Sequence, residues 1–243
     1  NKAMGSLLGC TDGKTLLEPS VGSGSLLTSL HGSPHRIDAI DVDPAMLALT
    51  KQKFPNLSIE THCFDFLDAH VSALLFNNLY NRSIEYDAVI SNPPFGLYFS
   101  NEYRKMLKSK FPNMYVRESY GLFFIISVER LVKGGRFVFL LPDTFLTSKN
   151  HSSLRKFMCE NVTLEHVIRF PSKRFESVNF GYGNLCIIAG TKRRLSDQAK
   201  VSWVEAFDPS RNILEQPCEN CLDFSGSDLL KNQETGWQRA MAD

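Results

Sequence analysis

Tyr86-Asp87-Ala88-Val89-Ile90-Ser91-Asn92-Pro93-Pro94-Phe95-Gly96 is the stretch on which the reading of this chain turns. Ala88, Val89 and Ile90 make a short buried strand, and Asn92-Pro93-Pro94-Phe95 follows at once. Two consecutive prolines lock φ and offer no N–H, so the backbone leaves the sheet in a rigid extended form. That rigidity fixes the Asn92 side-chain amide, the Pro93 carbonyl and the Phe95 ring. An amide oxygen, a backbone carbonyl and an aromatic face at a strand end suit gripping a planar base by its amino group. A Pro-rich turn that merely closes a strand is the plainer alternative, and the rest of the chain has to decide.

Outward from this point, strands alternate with helices. Met4 to Gly9 reads as the end of a helix, Thr15-Leu16-Leu17 as a strand, and Glu18 to Ser25 as a turn into a helix carrying Leu26, Leu27 and Leu30. Arg36 to Val42 is a second strand, and Pro44 suits the first turn of a helix through Met46, Leu47 and Leu49. Leu57 to Cys63 is a third strand and the Tyr86 stretch a fourth. Gly121 to Lys133 is a helix stopped by Gly134-Gly135, followed by strand Arg136 to Leu141. Leu154 to Glu160 is helical, and Leu164 to Phe170 and Asn184 to Ala189 are the sixth and seventh strands. This pattern predicts an α/β fold: a Rossmann-like, doubly wound, seven-stranded sheet, mostly parallel, with an antiparallel edge pair at its end.

With 243 residues and 43% hydrophobic content, the chain can bury one good-sized core. Its net charge of +1 leaves the partner class open, so a nucleic-acid binder of this kind needs a localised basic face. Gly96 to Ser119 offers one, with Arg104, Lys105, Lys108 and Lys110 among Tyr98, Phe99, Tyr103, Phe111 and Tyr115; a solvated surface helix with an apolar underside is the equal alternative. The absence of a long apolar stretch or signal-peptide pattern points to a cytoplasmic protein with no membrane partner. The six cysteines are scattered, as free thiols would be, and the single pair Cys218/Cys221 lacks the further ligands of a zinc site, so no metal is expected.

The residues able to carry chemistry fall at strand ends, where doubly wound sheets bind ligands. After the first strand, Gly22 and Gly24 allow close backbone approach, but Leu27 replaces the third glycine of a dinucleotide fingerprint. Glu18, beside Pro19, puts a carboxylate where a pyrophosphate would want bare N–H groups, and suits a cationic ligand. Asp41, ending the second strand, can accept from two vicinal ribose hydroxyls, with Asp43 favoured as the cap of the helix at Pro44. Asp65, ending the third, can accept from an adenine amino group, with Phe66 or Phe64 packing on the ring. Singly, each carboxylate is as readily a cap or turn residue. Together they describe a pocket for an adenosine bearing positive charge and no phosphates, which S-adenosylmethionine fits.

The ordered set E-P-S-V-G-S-G-S-L-L, I-D-V-D-P, D-F and N-P-P-F-G resembles the adenine-specific DNA methyltransferases of restriction–modification systems. It is closest to the gamma arrangement, in which the cofactor motif precedes the catalytic one. The resemblance spans roughly residues 4 to 195. It implies transfer of a methyl group from S-adenosylmethionine to a flipped adenine in DNA, with Asn92, Pro93, Pro94 and Phe95 at the reacting amino group. It also implies a later aromatic touching the target base, for which Phe175 is the carry-over and Phe180 the alternative. The family pattern expects a segment before the first helix that covers the methionine part of the cofactor. Residues 1–195 are thus expected to form the catalytic domain. Residues 196–243 read as a linker or the start of a target-recognition region, with sequence choice made there or by a separate specificity subunit. RNA adenine and protein-glutamine methyltransferases share the turn, and a non-catalytic cofactor-binding subunit is the alternative from another class.

Overall fold

The computed structural model describes residues 1–70, 85–97, 99–171, 183–205 and 221–237. Its centre is a sheet of nine strands in the order β3-β2-β1-β4-β5-β7-β6-β8-β9. In chain order these are β1 (Thr15–Glu18), β2 (Arg36–Asp41), β3 (Ile59–Cys63), β4 (Tyr86–Ser91), β5 (Leu131–Pro142), β6 (Thr163–Pro171), β7 (Asn184–Thr191), β8 (Lys200–Val204) and β9 (Cys221–Ser225). The strands β1 to β5 pair in parallel, as do β6 and β8, whereas β7 is antiparallel to both β5 and β6, and β9 to β8. Only β7 and β9 therefore run against the rest, and the carboxyl ends of the other seven strands share one edge. β1 and β4 are neighbours although β2 and β3 intervene in sequence, so the order reverses between them and opens a crevice outside their carboxyl ends.

The sequence pattern predicts seven strands, and nine are present among the described residues. The additional pair comes from residues read as a linker, where Trp203 and Phe224 are buried with rings 5.1 Å apart. Helix α8 (Gly226–Lys231) follows, opened by a reciprocal cap between Ser225 and Asp228. The expected antiparallel edge pair is internal, because β8 covers the outer side of β6.

Alternation along the strands sends side chains to two cores, one on each face of the sheet. Leu17, Ile40, Val89, Phe137 and Phe139 share one with α5 (Ser119–Glu129) and α7 (Ser152–Asn161). Leu16, Ile37, Ala39, Ala88, Ile90 and Val138 share the other with α1 (Lys2–Leu8) and Leu47 of α2 (Pro44–Lys53). Phe124 in α5 is fully buried and makes edge-on contacts with Phe137 and Phe139, which fixes α5 across the sheet. Where a helix was expected after the first turn there is only a 3-10 turn, Leu27–Ser29. No helix among the described residues is long and apolar enough to cross a membrane.

Candidate active site

The turn after β1 and the turn after β4 meet across the crevice. Ser20 Oγ donates to the Asn92 carbonyl oxygen at 3.2 Å and lies 3.2 Å from Ser91 Oγ. On the far side, Ser119 Oγ donates to the Pro94 carbonyl at 2.5 Å from the first residue of α5. Two serines thus occupy the first and third carbonyls of Asn92-Pro93-Pro94. Among the described residues, no donor reaches the Asn92 side-chain amide oxygen or the Pro93 carbonyl. Asn92 is exposed, and Phe95 is half-buried at the border of both cores.

Glu18 is the last residue of β1 and is buried with Pro19. Neither carboxylate oxygen makes a hydrogen bond of good geometry among the described residues. Burial pushes its carboxyl well up, Ser20 opposes this, and the charge of Asp41 adds to it. An acid so placed is the feature a cationic ligand would satisfy, because a positive group stabilises the ionised form that burial disfavours.

Asp41 ties two turns together. Its Oδ2 accepts the Gly22 N–H at 2.8 Å and its Oδ1 the Asp43 N–H at 2.9 Å. A carboxylate has about four lone-pair directions, so these bonds orient it and leave room for further donors. Asp43 accepts from the Ala45 N–H and caps α2, with Pro44 at the first helical position. The glycines of the first turn divide their tasks. Gly22 has φ +50, and a side chain there would meet open space. Gly24 has φ +71, and a Cβ would come within 2.7 Å of Phe54, so its smallness serves packing against the end of α2 rather than a ligand.

Asp65 Oδ1 accepts the N–H groups of Leu67 and Asp68, both at 2.9 Å, capping helix α3, which opens at residue 66 and is described to residue 70. Phe66 points inward. It is 8% exposed and its ring packs 5.3 Å from that of Phe123, whereas Phe64 is 39% exposed and Val42, beside Asp41, 65%. The aromatic face left open near Asp65 is therefore that of Phe64, because a helix starting at residue 66 turns the next ring into the core. Phe175 and Phe180 lie outside the described residues, as do Tyr98 and Cys218.

The basic segment forms α4 (Asn101–Lys110), capped by Ser100. Leu107 is buried, with Tyr103 and Met106 packed against the core and Lys105 and Lys108 exposed. It is thus a surface helix with an apolar underside. Ser20 and Ser119 went unread in the sequence. A lone serine carries no pattern, although the position of Ser119 at a helix start gave a weak signal.

A model of the Eco57I restriction-modification methylase family matches residues 36–175, more than half of the chain. The Type II methyltransferase M.HincII of Haemophilus influenzae is 29% identical over 205 residues, covering 82% of this chain and 36% of that protein. M.AccI of Acinetobacter calcoaceticus, also a Type II methyltransferase, is 26% identical over 170 residues, covering 67% of this chain and 29% of that protein. The chain thus spans about a third of the length of these relatives. In fold it is similar to the type IIG restriction endonuclease BpuSI, with a TM-score of 0.71 at 17% identity, covering 97% of this chain and 31% of that one. It is similar also to a modification subunit of a putative type I restriction enzyme from Vibrio vulnificus YJ016, with a TM-score of 0.70 at 13% identity, over 94% of this chain and 55% of that one. Because the family match runs from the first residue of β2 past the end of β6 and takes in the Asn92 turn, this chain belongs to the Eco57I restriction-modification methylase family.

Proposed function

We propose that this chain is the methyl-transfer core of an adenine-specific DNA methyltransferase of a restriction–modification system. Membership of a methylase family implies S-adenosylmethionine as the methyl donor. One observation carries the choice of acceptor. Ser20 and Ser119 take up the Asn92 and Pro94 carbonyls, while the Asn92 amide oxygen and the Pro93 carbonyl have no donor among the described residues. Two neighbouring acceptors without a donor among the described residues, one on exposed Asn92 and one on buried Pro93, lie on a rigid turn beside the half-buried ring of Phe95 and match a planar group that presents two N–H bonds. The exocyclic amino group of an adenine is such a group.

The residues of the crevice fit the donor as well. The buried Glu18 carboxyl, with no hydrogen bond of good geometry among the described residues, suits the counter-charge to a cation. Asp41 is oriented by its two main-chain donors for the ribose hydroxyls. Asp65 keeps its Oδ2 clear of the capping bonds for an adenine amino group, with Phe64 and Val42 as apolar walls. When bound, the cofactor supplies an electrophilic methyl group.

An adenine amino group inside a duplex is out of reach, so the base is taken out of the stack. Phe95 stacks on the ring, and Asn92 Oδ1 and the Pro93 carbonyl accept the two N–H bonds. Holding both hydrogens in these directions favours a pyramidal nitrogen whose lone pair is freed from the ring. With this lone pair free to accept a methyl group, Asn92 Oδ1 and the Pro93 carbonyl hold the nitrogen's hydrogens until one proton leaves to solvent. Positioning of this kind contributes several kcal/mol, about the range measured for preorganised sites. Reading of the DNA sequence is assigned to a target-recognition region, of which residues 196–243 are the linker or the start, or to a separate specificity subunit.

The test is transfer of labelled methyl groups to unmethylated duplex DNA, RNA and protein, by the parent protein and its Asn92→Ala variant. Label in DNA adenine that disappears in the variant while the cofactor still binds is the expected result. Label entering RNA or protein alone overturns the DNA reading, and full turnover by the variant overturns the role of Asn92.

A further inference from the structure

Beneath the far end of the Asn92 turn lies a buried polar cluster that methyl transfer, as described above, does not use. His151 is 3% exposed, and its Nε2 lies 3.1 Å from Glu118 Oε2 and 3.0 Å from the Tyr120 hydroxyl. The Tyr120 hydroxyl lies 2.9 Å from Thr144 Oγ1, and against the effect of burial His151, Tyr120 and Thr144 together hold the Glu118 carboxyl below its ordinary value. Tyr115 closes the cluster with its ring edge-on to His151, 5.1 Å between centroids. Three separate pieces of chain are joined here: the start of α5, the first residue of α6 (Thr144–Thr147) and the end of the 3-10 turn Lys149–His151.

Glu118 is the N-cap residue of α5, yet its side chain caps nothing and is spent on His151 instead. Tyr120 holds the same histidine from the second residue of the helix. Between these two anchors sits Ser119, fully buried, and its hydroxyl turns the other way, to the Pro94 carbonyl. A buried hydroxyl without a partner is costly, so Ser119 keeps its bond to Pro94, and that bond lies where the cluster holds the first turn of α5. Asn92 and Pro93 precede Pro94 with φ fixed at both prolines, so a displacement of Pro94 passes to the two open acceptors rather than being absorbed.

We propose that Ser119 is a positioning residue for the methyl-transfer turn, and that the Glu118–His151–Tyr120–Thr144 cluster is the fixture that holds it. The inference rests on the function proposed above for the Asn92 turn. Nothing in the cluster touches substrate. It acts by setting the distance and direction of the Asn92 and Pro93 acceptors, where misplacement by an ångström costs up to about a hundredfold in rate.

The test uses Ser119→Ala, Ser119→Thr, Glu118→Gln and His151→Ala in the parent protein. Ser119→Ala is expected to lower kcat by about tenfold to a hundredfold with the cofactor Kd unchanged, while the melting temperature falls modestly because the Pro94 carbonyl loses its donor. Ser119→Thr, which keeps the hydroxyl, recovers most of the rate. Ser119→Ala combined with Glu118→Gln or His151→Ala falls no further than the slower single variant, because both act through one contact. Independently of turnover, amide hydrogen exchange at Phe95 and Gly96 in the cofactor-free protein is faster in Ser119→Ala than in the parent. An unchanged kcat in Ser119→Ala, or losses that multiply in the double variant, overturns the proposal. Should the parent methylate no DNA, the function reading fails, while hydrogen exchange still decides whether Ser119 holds the turn. Should His151→Ala not fold, Glu118→Gln serves as the second arm.

Discussion

Asp41 Oδ2 accepts the main-chain N–H of Gly22 at 2.8 Å, a bond between residues nineteen apart that locks the turn after β1 to the end of β2. The same carboxylate receives the Asp43 N–H on its other oxygen, so its direction is set before any ligand arrives. Removing it therefore does two things at once. Asp41→Ala should weaken cofactor binding by at least about 1–2 kcal/mol, the scale of a hydrogen bond to a charged group, and lower the melting temperature of the free protein. Asp41→Asn keeps one acceptor oxygen and should fall between the two in both measurements. Calorimetry showing full affinity in Asp41→Ala would move the ribose role elsewhere.

Glu18 makes a prediction about pH. Burial raises its carboxyl in the folded state, so the folded chain keeps a proton that the unfolded chain has released. Stability is then fully present below the ordinary glutamate pKa of about 4.3, and falls as pH rises from there towards the raised value. Glu18→Gln removes that loss, so its melting temperature in the absence of cofactor should fall less with rising pH. Glu129, raised by burial too, leaves a residual slope in both proteins. A cation beside Glu18 favours its ionised form, so at any pH below the raised value cofactor binding should release more protons in the parent than in Glu18→Gln. Titration calorimetry in buffers of different ionisation heat measures this, and equal proton release by both proteins would discard the counter-charge role.

Phe64 and Phe66 are two residues apart and should separate cleanly. Phe66→Ala opens a cavity against Phe123 and should cost about 3–5 kcal/mol of stability. Phe64→Ala removes an exposed ring, and should leave the melting temperature nearly unchanged while weakening cofactor binding several-fold. A Phe64→Ala variant with parental affinity would show that the adenine wall is built from other residues.

These residues also show what the sequence could and could not disclose. Asp43 was readable as a cap because the signal is local: an acid, then Pro44, then a helical apolar pattern. The first seven strands were readable because their alternation and their Gly, Pro and Asp stops lie within a few residues of each other. Strands β8 and β9 were not, because what makes them strands is pairing with β6 and with each other across the intervening chain. The choice between Phe64 and Phe66 turned on where α3 begins, which pattern alone fixes only to within a few residues. Ser20 and Ser119 escaped for a third reason: their meaning resides entirely in carbonyls on another element, and a serine hydroxyl looks the same in any turn.

Arg155 shows how the part beyond β7 is held. It is fully buried and donates to the carbonyls of Phe145 and Ser148 at 2.6 and 2.8 Å, and of Gln233 and Glu234 at 2.7 and 3.1 Å. A planar guanidinium can serve four carbonyls in two directions, which a lysine ammonium, a single point with three donors, cannot. The segment after α8 is thereby fastened to α6 and the turn beyond it, and Trp237 is held fully buried with its indole N–H on the Leu229 carbonyl. Arg155→Lys should leave at least one carbonyl without a partner and cost about 1–3 kcal/mol, with Arg155→Leu costing more. Because Trp203 and Trp237 are both buried in the parent, release of the 233–237 segment should shift tryptophan emission to the red. Replacing Trp203 with Phe isolates the Trp237 signal, and an emission maximum unmoved by Arg155→Lys in that background would show that the segment is held by its apolar contacts alone.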